Sequence, residues 1–146
     1  VDRVRKNARV AQRVSDLKRV QSALDLYYAK NRSYPVTGGA WRGECASYSA
    51  GGTYTANNGL VIPGLAPTYI PRIPVDPQGS PSSDYNCYLY RSGGNPDGTE
   101  YAFLAHQVIE LYDGSAGASY AKYPEFYDSI RPTTAWKISS PGRVGF

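Results

Sequence analysis

The chain has 146 residues, 41% of them hydrophobic and 19% charged, with a net charge of +4. That is enough for one domain with a single modest core, and no apolar run approaches the ~20 residues of a bilayer-spanning helix. Fifteen Gly and eleven Pro, with no Met, point to a loop-rich fold rather than a long bundle.

The basic charge belongs to one end. Residues 1–32 carry nine Lys or Arg against Asp2, Asp16 and Asp25, whereas residues 33–146 are slightly acidic. Such asymmetry suits nucleic acid, an anionic membrane surface or a complementary protein face. Over the same residues Val10, Val14, Leu17, Val20 or Gln21, Leu24 and Tyr27/Tyr28 recur at steps of three and four, the spacing of one apolar helical stripe. Arg9, Arg13, Asp16, Arg19 and Asp25 are expected largely off that stripe. Tyr34-Pro35 ends the segment. Thirty helical residues span ~45 Å, longer than such a domain is wide. With no capping box at Val1 and only Val4 and Ala8 among the first bases, the helix reads as cut through its middle, its front projecting.

Residues 33–84 form a long loop broken by Gly-Gly pairs and six prolines from Pro63 to Pro81. Leu60-Val61-Ile62 and Tyr69-Ile70 offer apolar anchors, but they are few, so packing alone is expected to hold the loop poorly. Residues 85–146 carry the sheet. Residues 84–91 alternate and are rich in aromatics, 92–99 read as a turn, and 100–110 as the second strand of a hairpin, with Tyr101, Phe103 and Ala105 on one face. Residues 135–139 are a third candidate strand. The order is that of a single α+β domain.

Cys45 and Cys87 are too far apart for a CxxC redox pair and too few for a zinc site. They form either one disulfide or two buried thiols, and the Tyr-, Ser- and Gly-rich composition of an exported protein favours the disulfide. Catalytic signals are weak. His106 is the sole histidine and reads as an ordinary strand residue. Asp76, Asp84, Asp97, Glu100 and Glu110 stand singly, without the paired carboxylates of acid–base catalysis. Neither Gly-Gly pair is followed by the Lys-Ser/Thr of a phosphate loop. Asp113, Glu125 and Asp128 are candidate oxygen ligands for calcium, at spacings that match no EF-hand; no other cofactor is expected. Asn31-Arg32-Ser33 is a formal glycosylation sequon. The basic helix and the tyrosines Tyr27, Tyr28, Tyr88 and Tyr90 could meet DNA, although the bases are scattered round the helix and interrupted by acids.

Three motifs carry a resemblance. The run from Arg13 to Pro35 closes with Leu24-x-x-Tyr27-Tyr28-x-x-Asn31-x-x-Tyr34-Pro35. It resembles the end of the long N-terminal helix of type IV pilins and type II secretion major pseudopilins. Tyr69-Ile70-Pro71-Arg72-Ile73-Pro74-Val75-Asp76-Pro77 resembles the segment that leads into their sheet, and Asp97-Gly98-Thr99-x-Tyr101-x-Phe103-x-Ala105 their hairpin. The resemblance implies a pilin-like α+β fold in which a long helix packs on a small antiparallel sheet, residues 1–32 being the second half of that helix. It implies a structural subunit of an extracellular type IV pilus. Its partners would be other copies in a helical filament, the pilus assembly machinery, and the inner membrane through an apolar half-helix ahead of Val1. A secretion pseudopilin is the alternative, and the calcium loop of that group is not clearly matched after Glu110. A minor pilin that binds DNA or a host surface is another. On this reading Val14, Leu17, Leu24 and Tyr28 are buried against the sheet, and Arg3, Arg5, Arg9 and Arg13 form a basic face turned to neighbouring subunits or lipid headgroups.

Overall fold

A computed structural model describes residues 2–111, 122–133, 135–142 and 144–146. A 30-residue helix, α1, runs from Asp2 to Asn31. Arg32 then turns into the left-handed region at φ 57° while its N–H still donates to the Tyr28 carbonyl at 2.7 Å, a common way for a helix to close. Pro35 follows, a residue that cannot continue a helix.

The sheet has three antiparallel strands in sequential order, β1 (Cys87–Gly93), β2 (Glu100–His106) and β3 (Ala135–Ser139). Leu89 pairs with Leu104, and Leu104 with Lys137. The third strand falls where the sequence places it. The second is shorter than expected. Gln107 takes φ 50° and Asn86 φ 54°, which breaks the extended backbone at that end of the hairpin, and residues Ile109–Leu111 continue as a 3-10 turn.

Between α1 and β1 the described chain has neither helix nor strand; Arg42 makes an isolated antiparallel bridge to Tyr90. Gly43 allows that approach, because a Cβ there would stand 2.6 Å from a Leu89 methyl and 2.7 Å from the Tyr88 carbonyl. Gly98, at φ 98°, does the same for the hairpin tip: its carbonyl accepts the Tyr34 N–H at 2.8 Å, and a Cβ would lie 3.0 Å from the Tyr34 carbonyl. The β1–β2 turn is thereby docked on the chain just past the helix end.

Two apolar layers flank the sheet. On the helix side Leu17, Val20 and Leu24 are fully buried in one cluster with Tyr88, Tyr90, Tyr101, Phe103, Trp136 and Ile138. Ala56, Val61, Ile62, Leu65, Ile70 and Ile73 of the loop join that cluster, which corrects the expectation that packing would hold the loop poorly. Its apolar residues are few, but eight are buried, counting Tyr34 and Cys45. On the far side Cys45, Cys87, Leu89 and Leu104 form a smaller cluster under Trp41 and Tyr48. Cys45 and Cys87 are joined in a disulfide, tying the loop to the first residue of β1.

Candidate functional site

The helix face singled out by the sequence divides into an anchored part and an outward part. Arg3 and Arg5 are exposed, as are Val4, Asn7 and Ala8. Arg9 and Arg13 are not turned to solvent, which corrects their place on the basic face. Arg13 is 0% exposed. Its guanidinium donates two hydrogen bonds to the Asp76 carboxylate, at 2.8 and 2.9 Å, and a third to Gln78 at 3.0 Å. It also bonds Glu110. Arg9 donates to Glu110 at 2.9 and 2.7 Å. Acids expected to stand singly therefore converge on two arginines from one helix.

A second polar group lies one turn further on. Asp16, 1% exposed, accepts the Tyr88 hydroxyl and the Gln12 amide, each at 2.7 Å, and lies 3.7 Å from Arg19. Arg13 and Asp16 stand four residues before Leu17 and Val20, so both share the stripe's face. Their charge hid what their spacing shows.

The electrostatics follow from this burial. Burial opposes the Arg13 charge, but hydrogen bonds and attraction from Asp76 and Glu110 outweigh it and raise the pKa. Hydrogen bonds from Arg9, then from Arg13, hold the Glu110 carboxyl below its ordinary range. Asp16 goes the other way: burial raises its pKa, and the bonds from Tyr88 and Gln12 offset this only in part. Arg9 and Arg13 of α1, Asp76 of the loop and Glu110 of the turn after β2 thus tie the helix to the loop and to the chain just past the sheet.

Of the four residues expected to face the sheet, Leu17 and Leu24 are fully buried and Val14 is partly buried against the core. Tyr28 is 43% exposed, a correction. Its ring packs on Tyr34 at 4.6 Å, beyond the end of the stripe, while Tyr27 turns inward onto Tyr69 at 5.3 Å. Asp113 lies outside the described residues. Glu125 is 4.0 Å from Lys18, and Asp128 accepts from Arg131 at 3.0 Å and from the backbone of Ile130 and Arg131. Among the described residues no group of three or more His, Cys, Asp or Glu side chains is placed to hold a metal ion. His106 packs edge-on against Tyr48 at 5.9 Å, and burial lowers its pKa, favouring the neutral ring.

Comparison with family models, curated proteins and solved structures returns no match. The geometry therefore speaks for itself. It offers a helix clamped along one face by charge and apolar packing, with Ala11, Gln12, Ser15, Lys18, Arg19 and Ser22 exposed on the other.

Proposed function

We propose that this domain is the globular head of a type IV pilin, a structural subunit that works by assembling into an extracellular filament. The observation that carries the reading is the junction of the resembling motifs. Asp76, from the Tyr69–Pro77 motif, receives the Arg13 guanidinium at the start of the helix motif. Ile70 and Ile73 of the same motif are buried in the cluster that holds Leu17 and Leu24. Gly98, from the hairpin motif, accepts the Tyr34 N–H. Three segments distant in sequence thus converge on one helix–sheet interface.

In this reading α1 continues upstream of Val1 as an apolar half-helix that anchors the subunit in the inner membrane before extraction and packs the filament centre afterwards. Heads contribute smaller contacts through the exposed helix face and the loops. A heterologous contact repeated without closure gives a helical filament. The gene sequence upstream of Val1 tests this. A leader followed by ~20 apolar residues running in phase into α1 is expected; a start codon close to Val1 would overturn the reading.

A further inference from the structure

We propose that Arg91 is the docking point for a carboxylate of an acidic protein segment. β1 sends Cys87 and Leu89 into the cluster on the side of the sheet away from α1, and Arg91, two residues on, shares that side. Its guanidinium lies 4.4 Å over the Phe146 ring and 5.8 Å from the centre of Trp41. The Arg91 Nε is buried with no hydrogen-bond partner. No described carboxylate pairs with it, in contrast to Arg131 on the same tryptophan, 5.1 Å from its centre, which is neutralised by Asp128 at 3.0 Å.

A half-buried cation without a counter-charge is costly, and an arriving anion removes that cost. The shape of the place selects the anion. Aromatic rings lie against the guanidinium, and Nη2 lies 3.9 Å from where a Gly39 Cβ would stand, an ordinary contact distance. Arg91 keeps part of its surface exposed, and a planar guanidinium fork matches a carboxylate. Single-stranded nucleic acid suits it less. Such a ligand needs a track of cations and free ring faces, and two guanidiniums already lie against Trp41.

The test is a titration of the isotope-labelled domain with hexaglutamate at low salt, followed through the Trp41 indole N–H and the Arg91 Nε–H signals. Both should shift saturably. R91Q should abolish the Trp41 shift, R91K should weaken binding about tenfold or more by losing the planar fork, and R72Q, which removes an exposed cation in the loop, should change nothing. The buried Trp136 indole signal reports that each variant is folded. An absent shift in the wild-type domain, a shift that persists in R91Q, binding by R91K equal to wild type, or an Arg91-dependent shift given by oligo-dT and not by hexaglutamate would overturn the proposal.

Discussion

A guanidinium with no exposure to water, as at Arg13, stands only while its counter-charges are in place. Arg13→Ala leaves the buried Asp76 carboxylate, also 0% exposed, without its ion-pair partner, and breaking a buried pair costs ~3–5 kcal/mol. Arg9, whose side chain is 29% exposed, should lose well under half of that on replacement by Ala. Urea unfolding of the two variants measures the difference, and equal losses would show that the Arg13 pair is solvated after all. The two carboxylates flanking the arginines respond oppositely to acid. Glu110 has a lowered folded pKa, so its stabilisation is present above its ordinary ~4.3 and fades as pH falls through the folded value. Asp16 has a raised one, so it favours the folded state at low pH and loses that contribution as pH rises through its folded value. Glu110→Gln is therefore expected to flatten the loss of stability below about pH 5. Asp16→Asn keeps a side-chain oxygen for Tyr88 and removes a buried charge, so it should leave stability at pH 7 unchanged or raise it.

At the scale of elements, the helix and the loop are held by different means. Leu17→Ala or Leu24→Ala should cost ~2–5 kcal/mol through lost burial and the cavity left behind. Val4→Ala, at a side chain 71% exposed, should cost almost nothing. Melting curves separate these outcomes, and similar shifts for Val4 and Leu24 would contradict the packing described. The loop combines a disulfide spanning 42 positions with seven apolar side chains buried in the main cluster, Tyr34 among them. Replacing both cysteines by Ala should remove ~4 kcal/mol on the chain-entropy account, yet leave a folded domain, because Val61, Ile62, Leu65, Ile70 and Ile73 remain packed. Hydrogen exchange localised to the loop is the expected sign, and global unfolding at 25 °C would show that the packing is subordinate to the clip.

How far the sequence was legible depends on the kind of signal. The Leu17–Val20–Leu24 stripe is periodic, so the helix could be placed from spacing, and 135–139 is a strand as expected. The alternation over 84–91 finds β1 but not its bounds, since the strand runs Cys87–Gly93 and takes in the first two residues expected in the turn. The end of β2 could not be placed, because it is decided by the left-handed Gln107, a residue type with no turn signature, opposite Asn86, whose own left-handed tendency lies in the other strand. The charged anchor escaped for another reason: Arg13 and Asp16 lie on the buried face by position, but their partners Asp76, Glu110 and Tyr88 are 63 to 97 residues away, a separation that no local pattern encodes.

For the molecule as a whole, the proposed filament reading puts most of the cohesion in an apolar half-helix rather than in this domain, and that sets the expected behaviour of the domain alone. Its outward helix face is polar and interrupted, with exposed Arg3, Arg5, Lys18 and Arg19. Such a surface supports modest contacts rather than an obligate interface. The domain alone should sediment as a monomer at micromolar concentration, and a stable oligomer would place the cohesion in the head instead. The filament claim itself is tested most directly in cells that make the native protein. Antibodies against this domain should decorate thin surface filaments along their length, and mass spectrometry of those filaments after shearing should find α1 joined to an apolar N-terminal segment. Decoration absent from every filament, with the protein recovered as free monomer, would contradict the account.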